Sequence, residues 1–191
     1  MKVLLLDNYD SFTYNLLHSL QENTGVSIDV YRNDEISVEA VAYYDAIVLS
    51  PGPGLPSESG ILKELIQTYA ATKPILGVCL GLQAIVEVFG GVLENLETVF
   101  HGVSSPVVVL KEAGMLFKEI PQNFEAARYH SWVASKTNFP EILEITAVDT
   151  AGTIMAIQHK VYPIAAVQFH PESILTPVGN KLIQNFIESI A

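Results

Sequence analysis

Cysteine and basic residues are scarce in this sequence, and long apolar runs are missing from it. The single cysteine among 191 residues excludes an internal disulfide and is typical of a reducing compartment. Lys and Arg number 10 against 21 Asp and Glu, a net charge of −11, so the cations that would neutralise phosphates are lacking. We therefore expect neither nucleic acid nor an anionic membrane as a partner. The first apolar run, Val3 to Leu6, is too short for a secretory leader, and no run approaches membrane-spanning length, so we expect a cytoplasmic location.

The composition is that of a globular chain. Hydrophobic residues make up 49% of the sequence and charged residues only 16%, enough apolar material for a sizeable core. We find no internal repeat, low-complexity segment or linker. The sequence therefore predicts a single domain over residues 1–191.

The first half alternates short apolar runs with helical patterns. Strands are predicted at residues 3–6, 27–32, 46–49 and 75–78. Helices are predicted at residues 12–20, with Asp10 or Ser11 as the cap, at 59–72 and at 80–89, with a short helical piece at 38–42. This rhythm is typical of a parallel sheet with right-handed crossovers and helices on both faces, a flavodoxin-like core.

After Gly91 the rhythm changes to consecutive short strands. They are predicted at residues 107–110, 127–134, 143–148, 154–159 and 164–169, which favours antiparallel pairing. A final helix is predicted with Thr176 as its cap and Pro177 in its first position. The predicted fold class is therefore α/β, with a mostly parallel mixed central sheet and a small antiparallel sheet.

The only cysteine lies at the centre of Gly77-Val78-Cys79-Leu80-Gly81, between a predicted strand and a predicted helix. This is the sulfur version of a nucleophile elbow, in which flanking glycines avoid a collision of Cβ atoms in a crowded turn. The helix N-terminus favours the thiolate, and the N–H of Leu80 is placed to bind an oxyanion. On this pattern alone, a buried structural cysteine is about as good an interpretation.

A second motif, Ser50-Pro51-Gly52-Pro53-Gly54, follows the third predicted strand. Such a rigid loop exposes backbone N–H groups that suit an anion or oxyanion, although an ordinary turn is the simpler interpretation. It is not a phosphate-binding P-loop, because no Gly-Lys-Ser/Thr follows. Ligands of parallel sheets bind beyond the carboxyl ends of the strands, where this loop and Cys79 are both expected.

A base for the cysteine is offered by His170 and Glu172, which are two residues apart at a predicted strand end. In extended backbone both side chains point the same way, so the carboxylate can reach one ring nitrogen and leave the other free. A structural hydrogen bond is the alternative, and a metal site is disfavoured because no further ligand cluster is present. The other histidines are expected to be structural or exposed, with His130 the least certain of them.

Taken together, these motifs resemble the class I, or triad, glutamine amidotransferases. The resemblance is closest to the small glutaminase subunits of anthranilate synthase and aminodeoxychorismate synthase, and it runs over nearly the whole chain. The matching segments are residues 7–15, 50–54, 77–83, 128–131 and 168–173.

The resemblance implies a role for each matching residue. Cys79 would be the nucleophile, His170 the base and Glu172 the residue that orients it. The backbone N–H groups of Gly52 and Leu80 would form the oxyanion hole. Glutamine would be held by residues of three segments, namely Gly52, Pro53, Gly54, Gln83, Ser131 and Trp132.

The sequence departs from the family pattern at two positions. An aliphatic residue is usual where Trp132 stands, and lysine is common where Val103 stands. The first contact is made by backbone, so glutamine binding should survive; the second leaves the subgroup and the partner surface open.

The resemblance also implies a reaction and a partner. The reaction is hydrolysis of glutamine to glutamate and ammonia, which a chorismate-using synthase subunit receives. This chain would need no cofactor or metal, whereas the partner synthase would be magnesium-dependent. Another elbow-type cysteine hydrolase or peptidase, or a non-catalytic regulatory subunit of the same fold, are the alternatives.

Overall fold

The computed structural model describes residues 1–22, 25–110 and 114–190. One sheet of nine strands runs through the molecule in the order β2-β1-β3-β4-β11-β10-β9-β6-β7. Its first five strands are parallel: β1 (Lys2–Asp7), β2 (Ser27–Arg32), β3 (Ala46–Leu49), β4 (Ile75–Val78) and β11 (Ile164–Val167). The order 2-1-3-4 followed by a fifth parallel strand is the flavodoxin-like arrangement that the sequence predicts.

The remaining strands are antiparallel. Four of them extend the central sheet: β6 (Val103–Val109), β7 (Asn123–Arg128), β9 (Leu143–Asp149) and β10 (Ile154–His159). A separate two-stranded sheet pairs β5 (Leu93–Asn95) with β8 (Trp132–Ala134). The predicted α/β class, with a mixed central sheet and a small antiparallel sheet, is confirmed.

Helices cover both faces of the parallel part: α1 (Thr13–Gln21), α2 (Leu62–Tyr69), α3 (Leu80–Val88) and α4 (Gly179–Ile190). Alternate residues of β1 separate the two cores, because successive side chains of a strand point to opposite faces. Val3 and Leu5 pack with α1 and α4, whereas Leu4 and Leu6 pack with α2 and α3. Among the described residues, no helix combines the length and apolar character needed to cross a membrane.

Three sequence predictions about local structure were wrong. Residues 127–134 are two strands rather than one, because the chain turns after Arg128 and joins the small sheet at Trp132. Helix α4 begins at Gly179 instead of Pro177, since the Thr176 hydroxyl donates to the carbonyl of His170 and does not cap the helix. Helix α1 begins at Thr13 without a side-chain cap.

Other boundaries differ by a few residues. The helix predicted at 59–72 is α2, preceded by a short 3₁₀ turn at Pro56–Glu58, and the piece predicted at 38–42 is a 3₁₀ turn at Glu39–Tyr43. Strand β5 and the first residues of β6 and β7 carried no strong apolar pattern and were missed. Strand β11 ends at Val167, so Gln168 and Phe169 already belong to the loop that leads to His170.

Candidate active site

Cys79 is the turn residue between β4 and α3. Its backbone has φ 52° and ψ −99°, a conformation that non-glycine residues rarely adopt and that persists only where the surroundings enforce it. A Cβ on Gly77 would lie 2.8 Å from the backbone of Gly81, and one on Gly81 would lie 2.9 Å from Leu49. Both glycines are therefore required by the close approach of strand and helix, as the elbow pattern predicts.

The loop of residues 50–54 lies against this elbow. Asn8 fixes it, because its backbone N–H donates to Ser50 Oγ at 2.9 Å and its side-chain amide donates to the Ser50 carbonyl at 2.9 Å. A Cβ on Gly52 would lie 2.5 Å from the Asn8 carbonyl and 2.9 Å from the Leu80 side chain. Gly52 and Leu80 are thus neighbours, although their joint role as oxyanion donors stays a prediction.

His170 and Glu172 form a buried pair beside the cysteine. His170 Nδ1 and Glu172 Oε1 are 2.7 Å apart, while His170 Nε2 has no hydrogen-bond partner within ordinary geometry. Burial lowers the pKa of His170, but its interactions with the neighbouring Cys79 and Glu172 outweigh burial and raise that pKa to about 10. The resting form of His170 that this favours is the imidazolium.

The backbone of His170 is fixed from the antiparallel half of the sheet. Its N–H donates to the Ala127 carbonyl at 3.0 Å, and its carbonyl accepts the Thr176 hydroxyl at 2.7 Å. The ring of Tyr129 packs edge-on against the imidazole at 4.8 Å between centroids. These three contacts hold the imidazole ring next to Cys79.

Beside the sulfur is a cavity of about 300 Å³, at the small end of ligand pockets. Its wall contains Cys79 and all the side chains and loops that the sequence assigns to glutamine: Gly52, Pro53, Gly54, Gln83, Ser131 and Trp132. Leu55, Tyr129 and His130 complete the wall. We call this space the glutamine cavity, after the ligand that the resemblance predicts for it.

A second cavity of about 340 Å³ touches Cys79 on the side of His170. Tyr9, Phe12 and His101 line it, together with Asp10, whose carboxyl pKa is raised by burial. Gly52, Pro53 and Tyr129 are shared by both cavities. The sulfur therefore lies between two spaces, of which only the second contains His170.

The neighbour of Cys79 that the sequence interpretation missed is Gln168. It is fully buried, and its Nε2 lies 3.5 Å from Cys79 Sγ. The residue was part of a matching motif, two positions before His170, but nothing in the pattern assigned it a contact.

A buried ion pair behind the glutamine cavity was also missed. Arg128 Nη1 and Asp149 Oδ2 are 2.7 Å apart, and Arg128 Nε donates to His130 Nε2 at 3.1 Å. Burial, and then the positive charges of Arg128 and His170, lower the pKa of His130 to about 3. His130 is therefore neutral, and it is fixed next to the main chain at Ser131 and Trp132.

The other histidines are exposed or structural, as expected. The side chain of His18 is exposed, and His159 Nδ1 accepts the N–H groups of Val161 and Tyr162 in a turn. His101 is exposed as well, although it also lines the second cavity and packs edge-on against Tyr129. Val103 is exposed at the start of β6, opposite Arg128.

Fold and site together define a class: doubly wound α/β proteins with a cysteine at a nucleophile elbow and a histidine–glutamate pair beside it. The glutamine amidotransferase class-I family matches residues 4–190. The chain belongs to this family, and it is a glutamine amidotransferase domain.

Relatives agree with this assignment. The chain is 48% identical to anthranilate synthase beta subunit 1 of Oryza sativa subsp. japonica, a match that covers 98% of this chain and 67% of that protein. It is 42% identical to the aminodeoxychorismate/anthranilate synthase component 2 of Bacillus subtilis, covering 98% and 96%. A glutamine amidotransferase structure from Thermotoga maritima shares the fold, with a TM-score of 0.82 at 15% identity over 100% of this chain and 97% of that one. The chain spans only 24% and 32% of two longer relatives.

Proposed function

We propose that this chain hydrolyses the side-chain amide of L-glutamine and passes the ammonia to a chorismate-using synthase subunit. The synthase would make anthranilate, aminodeoxychorismate or, with one glutaminase shared between two synthases, both. The observation that carries the proposal is the glutamine cavity, in which Cys79 meets the loop of residues 52–54, Gln83 and the main chain at Ser131 and Trp132.

The first half of the reaction uses the ion pair of Cys79 and His170. The thiolate attacks the amide carbon of glutamine, and the N–H groups of Gly52 and Leu80 bind the oxyanion of the tetrahedral intermediate. His170 gives its Nε2 proton to the leaving nitrogen. Ammonia departs, and a glutamyl thioester remains on Cys79.

The second half reuses the same base. Neutral His170 removes a proton from water as the water attacks the thioester, and the C–S bond breaks to leave Cys79 again a thiolate beside an imidazolium. The product is released with its new carboxyl group, which loses its proton to solvent to give glutamate. Glu172 holds Nδ1 throughout, so that Nε2 faces the reacting atoms.

The two cavities indicate on which side of Cys79 ammonia leaves. Since His170 lines only the second cavity, the nitrogen that it protonates is released on that side, away from Gly54, Gln83, Ser131 and Trp132, which line only the glutamine cavity. Ammonia in bulk water becomes mostly ammonium, which is not nucleophilic, so the synthase has to receive it through a sheltered path. Relatives named as anthranilate synthase and aminodeoxychorismate/anthranilate synthase components support such a partner.

The first test is chemical. We expect the chain to release glutamate from glutamine once the synthase and chorismate are present, and to do so only weakly alone. Cys79→Ser in the complex should abolish synthesis from glutamine but leave synthesis from ammonium salts intact. Glutamine-dependent synthesis by the Cys79→Ser complex would overturn the proposal, and hydrolysis of peptides instead of glutamine would favour another elbow-type hydrolase.

The second test identifies the partner. The tagged chain is used to isolate its complex from native cells, and the complex is assayed with glutamine and chorismate. Anthranilate as product places the chain in tryptophan synthesis, and aminodeoxychorismate places it in folate synthesis. A complex without any chorismate-using enzyme would overturn the partner but not the glutaminase. Cell fractionation of the same sample tests the proposed cytoplasmic location.

A further inference from the structure

We propose that Gln168 is a positioning residue that donates an N–H to the sulfur of Cys79 and links that sulfur to the occupancy of the glutamine cavity. The inference rests on Cys79 being the nucleophile of the proposed function. Gln168 does not touch either cavity, so it acts through the sulfur rather than on substrate.

The orientation of the Gln168 amide follows from a backbone atom. The carbonyl of Trp132 only accepts hydrogen bonds, so the atom of Gln83 that lies 2.8 Å from it is the amide nitrogen Nε2. The same nitrogen reaches the side chain of Gln168 at 3.4 Å, and its partner there must be the oxygen Oε1. The other end of the Gln168 amide, which faces Cys79 Sγ at 3.5 Å, is therefore the NH₂ group.

A donor at this position favours the reactive form of the cysteine. A thiolate is a much better hydrogen-bond acceptor than a thiol, and a hydrogen bond to the charged form stabilises that form. Gln168 is fully buried, so no water competes for its N–H. The sulfur then has a neutral amide as a hydrogen-bond donor in addition to the nearby imidazolium of His170.

The same two amides connect the sulfur to the glutamine cavity. Gln83 lines that cavity, whereas Gln168 lies behind it. In the structure, Gln83 Nε2 is shared between the Trp132 carbonyl and Gln168 Oε1 at unequal distances of 2.8 Å and 3.4 Å. A glutamine that contacts Gln83 or the main chain at Trp132 changes this sharing, and the change reaches Cys79 through a single further side chain.

The experiment uses the fact that the chain has one cysteine, so alkylation by iodoacetamide reports on Cys79 alone. Gln168→Met keeps the length of the side chain and removes the donor; Gln168→Glu keeps the shape and places a carboxylate against the sulfur. We expect the pH profile of alkylation to move to higher pH, so that the rate at neutral pH falls about tenfold for Gln168→Met, the effect of one charge-assisted hydrogen bond, and further for Gln168→Glu.

Two controls separate this role from a structural one. Asn185→Leu removes another buried amide, which donates to the carbonyls of Leu116 and Lys118 and lines neither cavity, and should lower stability without moving the alkylation profile. In the complete enzyme, Gln168→Met should lower kcat about tenfold and leave the KM for glutamine within about threefold, because the residue does not touch substrate.

The outcomes are distinct from those that test the proposed function. A folded Gln168→Met or Gln168→Glu chain whose alkylation profile matches the unsubstituted chain overturns the role of Gln168, even if glutamine is hydrolysed. A shifted profile in a chain that does not act on glutamine supports the contact and overturns the glutaminase proposal instead.

Discussion

Replacing Gly179 with alanine should lower the activity strongly, although Gly179 lines neither cavity of the site. A Cβ on Gly179 would lie 1.7 Å from the carbonyl oxygen of Pro171 and 2.7 Å from its carbonyl carbon. An ordinary nonbonded contact needs about 3.5 Å, so helix α4 and the loop of Pro171 have to separate by roughly 2 Å. Pro171 lies between His170 and Glu172 in the chain. The movement therefore displaces both of these residues.

The magnitude follows from that displacement. A misplacement of about 1 Å at a catalytic group costs on the order of 10²-fold in rate, so we expect Gly179→Ala to lower the rate of glutamate release by at least that factor. Overpacking of this kind costs about 1–3 kcal/mol of stability, which leaves the chain folded. Glutamate release by the complex and urea unfolding of the isolated chain measure the two effects.

Gly90→Ala is the matched control. Gly90 has φ 91° and nothing within 4 Å of the position of a Cβ, so alanine there tests backbone strain without a clash. We expect a cost of about 1–2 kcal/mol and unchanged activity. A folded Gly179→Ala chain with activity within threefold of the unsubstituted one would refute the claim that Pro171 transmits the contact to His170.

Three further predictions concern buried charges. Arg128→Met leaves the buried Asp149 carboxylate without a positive partner, with only neutral donors of Ala151 and Thr153, so urea unfolding should show a loss of about 3 kcal/mol; a loss below about 1 kcal/mol would contradict it. Glu172→Gln removes one cause of the raised pKa of His170, so the basic limb of the rate profile should move to lower pH and the rate should fall on the order of 10²-fold; an unmoved limb counts against the pair. Between pH 6.5 and about 3, His130 takes up a proton on unfolding, so the free energy of unfolding should fall by about 2 kcal/mol from pH 6.5 to pH 5. The His130→Gln chain should lack this contribution to the pH dependence of stability. Equal pH dependences in urea unfolding of both chains would refute the prediction.

The parallel half of the fold and the elbow could be predicted because their signals are local. Apolar runs such as 46–49 are buried on both faces and need no knowledge of their neighbours. The glycines beside Cys79 mark a turn within five residues of sequence. The contact of His170 with Glu172 was predicted from their spacing of two residues, but the premise of extended backbone was wrong: the structure makes the 2.7 Å contact across a turn, in which the Ser173 N–H donates to the His170 carbonyl.

What could not be predicted depends on residues that are distant in sequence. Gln168 meets Cys79 across 89 positions, and Arg128 meets Asp149 across 21. Glycine at 179 looks like an ordinary helix residue until the approach of Pro171 is known. The division at Tyr129 was invisible for a related reason, since each half of residues 127–134 has a strand-like pattern and only the pairing of Trp132 with β5 separates them.

The position of β11 has a consequence for how the chain folds. This strand pairs with β4 on one side and β10 on the other, in the middle of the sheet, yet it is the last of the described strands in sequence. Until residue 167 has been synthesised, β4 keeps one open edge in which every residue is apolar or glycine. An open apolar edge is a template for pairing with other chains, so the N-terminal half passes through an aggregation-prone stage on the ribosome. The pairing of β11 with β4 also brings His170 to Cys79. Cys79 therefore gains its base only in the folding step that covers the open edge of β4.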